Sequence, residues 1–354
     1  MDSMIIHNFT NDYSEGCHPS ILEALIQSNL VQQPGYGTDI YTQSAINSIR
    51  EKTGNPLADV HLVTGGTLAN LLVLGAILKP FESVIAAETG HINTHEAGAI
   101  EATGHKIESV STLDGKLRIK DIEPVLNKFP EFHTVKPRVV YVSNSTEIGT
   151  IYTKKELTEL FHFCRANHLL LFMDGARLPM ALTAASSDLT LADIASLTDV
   201  FYIGGTKCGA LLGEAIVITK EELKKDFKYH VKQRGALMAK GRTLGVQFSQ
   251  LLKDDLIFQL AHHANTMARK IADAFSELGY SFLASPSVNQ VFPIIPDLLI
   301  DNLKKQYGFF IWKQESETHS TIRLTTSWAT PEEKVDQFIL DLHKFSKKLS
   351  RGLF

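Results

Sequence analysis

Short apolar runs rich in β-branched residues alternate with helical segments between about residues 55 and 220, and this alternation constrains the fold most strongly. Segments with helical periodicity include residues 67–78, 119–129 and 155–168. Six apolar runs have the length and composition of buried strands: residues 60–63, 84–87, 138–142, 169–173, 200–203 and 215–218. Because such alternation is typical of βαβ units, we predict an α/β fold in which helices flank a mostly parallel sheet.

The pattern changes after Thr219. A closing helix is predicted from Pro331, which suits the first helical position. Between these points we expect helices at residues 220–229, 239–252, 255–278 and 298–306, and strands at residues 282–283, 291–295, 309–312 and 321–325. Since 354 residues exceed one ordinary core, we predict a large domain of residues 1–254, which includes the N-terminal segment, and a small C-terminal α+β domain of residues 255–354.

Composition argues against several classes of partner. The 35 Lys and Arg residues and 39 Asp and Glu residues give a net charge of −4, which offers no general reason to bind nucleic acid. The longest nearly apolar run, residues 68–78, is shorter than the roughly 20 residues of a membrane-spanning helix. Three widely separated cysteines fit neither a disulfide framework nor a Cys-x-x-Cys metal site. These features, with an N-terminus that lacks a basic signal region, predict a cytoplasmic protein with no nucleic-acid or membrane partner.

Three short segments that follow predicted strands contain residues suited to catalysis or ligand binding. Asp174 comes directly after one strand, Lys207 ends a Gly-Gly-Thr-Lys turn after another, and residues 64–67, Thr-Gly-Gly-Thr, join a strand to a helix. Taken singly, each has a plainer explanation: a helix cap, a surface lysine and a simple turn. Ligands of parallel sheets bind at the carboxyl ends of the strands, and helix N-termini attract phosphate. Together, a phosphate cradle, a buried acid and a lysine are the three groups that hold pyridoxal 5'-phosphate.

Two longer motifs surround these residues, Phe-Met-Asp-Gly-Ala-Arg at residues 172–177 and Gly-Gly-Thr-Lys at residues 204–207. Both resemble the cofactor motifs of the L-threonine aldolases, in the β-eliminating lyase group of fold-type I pyridoxal-phosphate enzymes. Further matches occur in the family's order: Asn11-Asp12, Tyr36-Gly37-Thr38-Asp39, Gly66-Thr67-Leu68-Ala69-Asn70, Glu88-Thr89-Gly90-His91 and Ile322-Arg323-Leu324-Thr325. The resemblance therefore covers nearly the whole chain.

The resemblance implies a fold, a reaction and an assembly. The fold is the fold-type I, PLP-dependent transferase-like fold, with a large cofactor-binding domain and a small C-terminal domain. The reaction is retro-aldol cleavage of L-threonine, L-allo-threonine and related L-β-hydroxy-α-amino acids to glycine and an aldehyde, with low specificity. The cofactor is pyridoxal 5'-phosphate (PLP). The enzyme is a homo-oligomer, a dimer or a tetramer, with its active site at a subunit interface.

The resemblance also implies which residues hold the cofactor. Lys207 forms the Schiff base, and Asp174 pairs with the pyridine nitrogen. Gly66 and Thr67 hold the phosphate, with Gly65 beside them. His91 stacks on the ring, although a lone histidine is more often a core residue.

Other positions are expected to contact the substrate. Arg177 lies near the cofactor O3' and the substrate carboxylate, and Arg323 clamps that carboxylate through a two-point interaction. Tyr36, Lys240 and Arg242 are expected to contribute to the neighbouring subunit's pocket. Lys240 and Arg242 are, however, more simply explained as charged residues exposed to solvent.

Three positions depart from the better-known branch of the family or leave roles open. Asn11 stands where that branch has a serine, and Glu147 stands in Thr-Glu-Ile-Gly where that branch has Thr-His-Asn-Gly. His95 and its neighbours could contact the β-substituent of the substrate. The base that removes the β-hydroxyl proton is His91, Glu147 or a water held by His91, and the water is favoured.

Alternative functions follow from the same residues. On the same scaffold, a β-eliminating lyase or an aldolase for aryl substrates such as phenylserine is the main alternative. A remote alternative is a zinc hydrolase that uses His91, His95 and Glu96, although the spacing is not His-Glu-x-x-His and no third ligand is evident. A catalytically silent binding protein is disfavoured because Lys207, Asp174 and Arg323 are all present. We expect no metal.

Overall fold

The computed structural model describes residues 6–128 and 132–351. Up to residue 252, the strands are β1 (His7–Asn8), β2 (Asp59–Val63), β3 (Glu82–Ala87), β4 (Ile107–Val110), β5 (Lys136–Ser143), β6 (Leu170–Asp174), β7 (Val200–Gly204) and β8 (Glu214–Ile218). The α-helices of this part are α1 (Pro19–Ser28), α2 (Ile40–Lys52), α3 (Gly66–Ile77), α4 (His91–Thr94), α5 (Ile119–Leu126), α6 (Lys154–Ala166), α7 (Leu178–Leu182), α8 (Leu191–Ser196), α9 (Phe227–Gln233) and α10 (Arg242–Leu252).

Seven of these strands form one sheet in the order β2-β8-β7-β6-β5-β3-β4. The pairs from β7 through β6, β5 and β3 to β4 are parallel, whereas β8 is antiparallel to both of its neighbours. The predicted mostly parallel sheet is therefore confirmed, and all six predicted strands are present. Strand β4 was missed because Glu108 and Ser109 interrupt its apolar pattern, as is tolerated at the half-buried edge of a sheet.

The side chains of β5 and β6 divide between two buried layers. Val140, Val142 and Leu171 belong to a hydrophobic cluster on one face, whereas Val139 and Tyr141 belong to a cluster on the other. Successive residues of a strand point to opposite faces, so apolar runs of this kind fit a sheet that is covered on both sides. The carboxyl ends of the strands are then the place where polar side chains can meet.

Local sequence explains several helix boundaries. Helix α6 begins with a capping box in which Thr153 and Glu156 exchange side-chain to backbone hydrogen bonds. The helix predicted at residues 220–229 is wrong in its extent, because Asp226 has a φ of 62° and separates a short 3-10 turn from α9. The predicted helix at residues 119–129 is present as α5, and its last predicted residue lies outside the described ranges.

The described residues after α10 include most of a second, smaller unit built around its own sheet, while the first turns of its first helix also pack on the core of the larger sheet. The helices of the smaller unit are α11 (Leu256–Glu277), α12 (Asp297–Leu303) and α13 (Glu332–Ser350), and its strands are β9 (Ser281–Phe282), β10 (Gln290–Val291), β11 (Pro293–Pro296), β12 (Tyr307–Gly308), β13 (Phe310–Gln314) and β14 (His319–Thr325). Strand β14 is antiparallel to β10, β11 and β13. The N-terminal strand β1 pairs in parallel with β12, so the start of the described chain lies against this unit. The domain division between residues 254 and 255 stays a prediction.

Three further expectations concern the start of α13, the cysteines and a membrane-spanning helix. Pro331 is the N-cap residue of α13, with a ψ of 134°, rather than its first helical residue. Cys17, Cys164 and Cys208 are all buried and free of disulfide bonds. Within the described ranges, no helix has both the length and the apolar character that crossing a bilayer requires.

Candidate active site

The carboxyl ends of β6 and β7 and the loop after β2 meet around a cavity of about 330 Å³, here called the aspartate cavity. Asp174 is the last residue of β6, and Lys207 lies in the turn that follows β7. Residues 64–67 lead from β2 into α3. The structure therefore brings together side chains that the sequence places far apart. Six of the lining residues are Gly65, Gly66, Thr67, Asp174, Lys207 and Glu214.

Asp174 is a buried acid, 4% exposed, that accepts three hydrogen bonds. Its Oδ2 accepts from Tyr141 Oη at 2.5 Å and from Asn70 Nδ2 at 3.2 Å, and its Oδ1 accepts from the Ala176 N–H at 3.0 Å. Burial alone raises the pKa of Asp174, but the charge of His91 and the hydrogen bond from Tyr141 outweigh burial, so the pKa is lowered. The carboxyl is therefore an anion at neutral pH, and it forms no ion pair within the described ranges.

Lys207 reaches the same cavity from the turn after β7. Burial and the charge of Arg177 lower the pKa of the Lys207 amine, although Asp12 and Asp174 oppose this change. A lowered pKa increases the share of free amine at neutral pH, and the free amine is the nucleophilic form. Lys207 is therefore suited to covalent chemistry with an aldehyde.

The N-terminus of α3 forms the third wall of the aspartate cavity. Gly65 is the N-cap residue and has no side chain to bind the N–H groups of the first turn, which have no acceptor inside the helix. A Cβ atom on Gly65 would meet nothing within 4 Å, whereas one on Gly66 would lie 3.1 Å from Tyr202 Oη. Free N–H groups and the helix dipole attract anions. This wall therefore suits a phosphate group.

These three walls fit PLP. A nucleophilic amine, an anionic acid and a phosphate-binding helix N-terminus surround one space, as the aldehyde, the ring nitrogen and the phosphate of that cofactor require. Asp174 is the strongest evidence for this fit, because burying a carboxylate without a cation is costly. A protonated pyridine nitrogen would supply that cation.

A second cavity of about 310 Å³, here called the arginine cavity, adjoins the first. Lys207, His91, Glu147, Arg177 and Tyr13 line both cavities. The residues that line only the arginine cavity include Asn11, His95, Gln290, Phe310, Trp312 and Arg323. The predicted substrate-binding residues Asn11, His95 and Arg323 therefore lie in a space next to the candidate cofactor site.

Arg323 has hydrogen-bonding capacity to spare. Its guanidinium carbon lies 4.8 Å from the ring centre of Phe310 and 5.5 Å from that of Trp312. Its Nη2 donates to the Thr10 carbonyl oxygen at 3.2 Å, while its buried Nε has no partner among the residues that the structure describes. Burial and the charge of Arg177 lower the pKa of Arg323, yet a guanidinium stays charged at physiological pH. Aromatic packing holds this cation in place, where it can accept a carboxylate as partner.

Arg177 is already paired. Its Nε and Nη2 donate to the two oxygens of Asp12 at 2.7 and 2.9 Å, and Asp12 is fully buried. Asn289 donates a further hydrogen bond to Asp12 Oδ2 at 3.0 Å. Asn11 uses its side-chain oxygen to accept from the Tyr13 N–H and from Ser14 Oγ. The N-terminal Asn-Asp pair therefore orders this wall, with Asp12 orienting Arg177.

A hydrogen-bonded chain connects His91 to Asp174. His91 Nδ1 lies 2.7 Å from Glu96 Oε1, which also accepts from Asn70 Nδ2 at 2.7 Å. The same Asn70 nitrogen lies 3.2 Å from Asp174 Oδ2. A carboxylate at Nδ1 favours the tautomer that carries its proton there, which leaves Nε2 as the acceptor. His91 is therefore oriented for work at its other nitrogen.

Glu147 stands beside His91. Its Oε1 accepts from Ser143 Oγ at 2.7 Å and from the His91 N–H at 3.0 Å. Burial raises the pKa of Glu147, and the charge of Asp174 adds to the rise, although the Ser143 hydrogen bond opposes it. A carboxyl with a raised pKa is closer to the range in which proton transfer is efficient. His91 and Glu147 thus both remain candidates for the base.

The rings of His91 and His95 stack at a centroid distance of 5.5 Å, instead of converging on one point. Burial and the charge of His91 lower the pKa of His95. Among residues 6–128 and 132–351, no three His, Cys, Asp or Glu side chains are grouped as metal ligands. The geometry therefore does not favour the zinc hydrolase alternative.

The three residues expected in a neighbour's pocket lie outside both cavities of this chain. Tyr36 lines a separate cavity of about 250 Å³ and has a φ of 59°. Arg242 donates to the carbonyl oxygens of Ser28, the last residue of α1, and of Val31. Lys240 lies in the turn that leads into α10. Their predicted role across a subunit interface stays a prediction.

Several site residues were not singled out from the sequence, namely Asn70, Tyr141, Ser143, Glu214 and Trp312, and Glu96 was named only as a possible zinc ligand. Asn70 and Glu96 occur inside or beside quoted motifs, so their proximity to His91 was a usable signal. Tyr141 and Trp312 lie in strands, where an aromatic residue is most simply part of the core. Only the packed structure places them at a cavity.

Known proteins are similar to this chain over most of its length. A family described as β-eliminating lyase matches residues 12–297. The low specificity L-threonine aldolase of Pseudomonas aeruginosa is 32% identical over 94% of this chain and 96% of that protein. A solved structure of a Leishmania major threonine aldolase is 45% identical, with a TM-score of 0.95 over 96% of this chain and 99% of that one. A mutant aspartate aminotransferase of Thermus thermophilus shares the fold, with a TM-score of 0.73 at 13% identity over 97% of this chain and 92% of that one. The predicted fold-type I architecture is thereby confirmed.

Proposed function

Since this chain belongs to the family of β-eliminating lyases, we propose that it is a PLP-dependent L-threonine aldolase of low specificity. It cleaves L-threonine, L-allo-threonine and related L-β-hydroxy-α-amino acids to glycine and an aldehyde. One observation carries the proposal: Lys207 and Asp174 line one cavity, and Arg323 lies in the cavity that adjoins it. The aldolases of Pseudomonas aeruginosa and Leishmania major support the choice of reaction.

The test is release of glycine and aldehyde from a panel of substrates by the purified protein with PLP. The panel contains L-threonine, L-allo-threonine, L-phenylserine and L-serine. Preferential cleavage of phenylserine would favour the aryl-substrate alternative, and release of pyruvate from serine would favour the β-eliminating alternative. Absence of aldehyde from every β-hydroxy amino acid would refute the aldolase proposal.

Four groups of this chain hold the cofactor in this proposal. Bound PLP supplies an electron-accepting ring that stores the electron pair of the bond that breaks. Asp174 keeps a proton on the ring nitrogen, because its lowered pKa makes it an anion. The N–H groups of Gly66 and Thr67 bind the phosphate, with Gly65 beside them, and Lys207 provides the amine that holds the cofactor covalently. His91, which lines the same cavity, would pack against the ring.

Arg323 binds the substrate carboxylate, and Arg177 contributes a second positive charge near it. The argument rests on the unpartnered Nε of Arg323 and on the pairing of Arg177 with Asp12. A carboxylate held at Arg323 would orient the substrate within the arginine cavity. Asn11 and His95 line the same cavity and surround the remaining substrate atoms.

Arg323→Ala is expected to raise KM for L-threonine and L-allo-threonine about tenfold to a hundredfold, with a smaller change in kcat. The reason is the loss of charged hydrogen bonds worth about 1.5–3 kcal/mol each. Steady-state kinetics measure the effect. Arg118→Ala is the matched control, because Arg118 pairs with Asp114 and lines neither cavity. An unchanged KM in Arg323→Ala would contradict the carboxylate clamp.

A water held near His91 removes the β-hydroxyl proton in this proposal. His91 Nδ1 is engaged by Glu96, so its Nε2 can accept a proton. Glu147 Oε1 already accepts two hydrogen bonds, from Ser143 and from the His91 N–H. Glu147 is therefore assigned to holding the His91 backbone, while its raised pKa keeps it a rival for the role of base.

His91→Asn is expected to lower kcat for aldehyde release by roughly 10²-fold to 10⁴-fold, the usual contribution of a positioned base. Glu147→Gln keeps an oxygen for the two hydrogen bonds and is expected to cost much less. Exchange of the glycine α-proton in D₂O, followed by NMR, is the control reaction because it needs no base at a β-hydroxyl. A larger loss in Glu147→Gln than in His91→Asn would reassign the base to Glu147.

We also propose a homo-oligomer, a dimer or a tetramer, in which Tyr36, Lys240 and Arg242 complete a neighbour's site. Large apolar side chains on α1 and just after it support this proposal, since Ile26 is 76% exposed and Leu30 is 92% exposed. Such side chains are unusual on a surface that stays in water. Sedimentation velocity tests the assembly, and a monomer would contradict it. Three free, buried cysteines support a reducing compartment such as the cytoplasm.

A further inference from the structure

Glu214 is a buried carboxyl that none of these roles uses. It is the first residue of β8 and pairs with Val63 of β2 on one side and with Gly204 of β7 on the other. Val63 directly precedes the loop of residues 64–67, and Gly204 directly precedes the turn that contains Lys207. Glu214 therefore lies between the phosphate-binding wall and the lysine, and it lines the aspartate cavity with both.

The surroundings of Glu214 do little to stabilise its carboxylate form. It is 5% exposed, and its Oε2 accepts a hydrogen bond from the Gly205 N–H at 3.1 Å. The charged groups that face it are Lys207 and Asp174, and the other titratable neighbours are Tyr202 and Cys208. Within the described ranges Glu214 forms no ion pair. Burial, opposed in part by the charge of Lys207, raises the pKa of Glu214 to about 8.

We propose that Glu214 couples binding of the cofactor phosphate to protonation: the aspartate cavity binds phosphate tightly when Glu214 is a neutral acid and weakly when it is a carboxylate. The inference rests on the proposed PLP site. Its physical basis is repulsion between two anions in one poorly hydrated cavity, which favours the protonated acid. Glu214 acts through charge and is not a catalytic residue.

The sign of the pH dependence follows from linkage. Bound phosphate stabilises the protonated acid, so the pKa of Glu214 is higher with ligand than without it. Affinity is therefore greatest below the pKa of the free site and falls as the pH rises through about 8. Deprotonation of Lys207 weakens phosphate binding in the same direction, and its contribution persists when Glu214 is replaced.

The experiment titrates the apoenzyme with pyridoxine 5'-phosphate, which has no aldehyde and cannot react with Lys207. Between roughly pH 7 and pH 9.5, the Kd of the wild type should rise at least about tenfold. The rise in Kd of Glu214→Gln over the same range should be smaller by a factor of at least about five. Glutamine keeps an oxygen for the Gly205 N–H, so the turn before Lys207 is preserved. Glu156→Gln is the matched control, since Glu156 pairs with Lys116 outside the cavity and its loss should leave the wild-type slope. The Kd of pyridoxine, which lacks the phosphate, should change less with pH than that of pyridoxine 5'-phosphate, and equally in every protein.

Equal pH slopes for the wild type and Glu214→Gln would overturn the proposal. If Glu214→Gln does not fold, infrared difference spectra of the wild type decide the question. Adding pyridoxine 5'-phosphate at about pH 8.5 should then increase the carboxylic acid C=O absorption, and no increase would overturn the proposal. Failure of the folded wild type to bind either probe at any pH would refute the PLP site itself, which is a different result from pH-independent binding.

Discussion

Lys207→Ala is expected to leave a folded protein that retains no PLP covalently and loses at least about 10³-fold in kcat/KM for L-threonine. In the described ranges, Lys207 is the lysine that lines both the aspartate cavity and the arginine cavity. Burial lowers its pKa, so the amine is available at neutral pH. Replacing it removes the amine on which activity depends. The free energy of unfolding should change little, because the amine is buried and forms no ion pair within the described ranges.

Borohydride reduction followed by peptide mapping measures this effect. The wild type should carry a pyridoxyl group on Lys207, and Lys207→Ala should carry none. Lys220→Ala is the matched control, because Lys220 is a partly buried lysine that follows β8 and faces Asp199 instead of either cavity. Its pyridoxyl group should remain on Lys207. A pyridoxyl adduct on a different lysine of the wild type would refute the assignment.

Asp174→Asn is expected to lower kcat by about 10²-fold while the cofactor remains attached to Lys207. An amide cannot stabilise a protonated ring nitrogen as a carboxylate does, and a hydrogen bond to a charged group is worth about 1.5–3 kcal/mol. The hydrogen bonds from Tyr141 and Asn70 lose an ionic acceptor at the same time. Steady-state kinetics and the absorption spectrum of the bound cofactor measure the change, and both should respond.

Asp199→Asn is the matched control for this variant. Asp199 is 1% exposed, but it directly precedes β7, at the amino end of the strand and away from both cavities. Its Oδ2 accepts from the Leu171 N–H at 2.8 Å, and its Oδ1 lies 3.0 Å from Arg165. Asp199→Asn should leave kcat unchanged. Wild-type kcat with an unaltered spectrum in Asp174→Asn would contradict the role of Asp174.

The parts of the candidate site that local sequence could predict are those that follow strands. Asp174, Lys207 and the Gly65-Gly66-Thr67 turn each come after an apolar run, and parallel strands bring their carboxyl ends to one edge. The six strands predicted for the larger sheet were correct for the same reason, since runs buried on both faces are continuous. The strand predicted at residues 291–295 was wrong in its extent, because the chain is interrupted at Phe292 and divides into β10 and β11. The edge strand β4 and the break at Asp226 were missed because their sequences lack that simple pattern.

Other parts of the site depend on contacts between distant segments. Arg177 and Asp12 are 165 positions apart, and neither residue type predicts the other as its partner. Asn70 joins Glu96 to Asp174 across three segments that meet only after the sheet has formed. Arg323 comes from the smaller unit and enters the arginine cavity beside residues of the larger one.

The amino-acid sequence by itself was enough to predict the α/β architecture and to select Lys207, Asp174 and the Gly65-Gly66-Thr67 turn as candidates, because strand periodicity and the residue after each strand are local properties. The tertiary structure alone decided that Arg177 is paired while Arg323 Nε has no partner among the described residues, that Glu96 orients His91, and that Glu214 is buried between the turn of residues 64–67 and Lys207. The physical reason is that burial and partner choice change the charge of a side chain, and both are properties of the packed molecule.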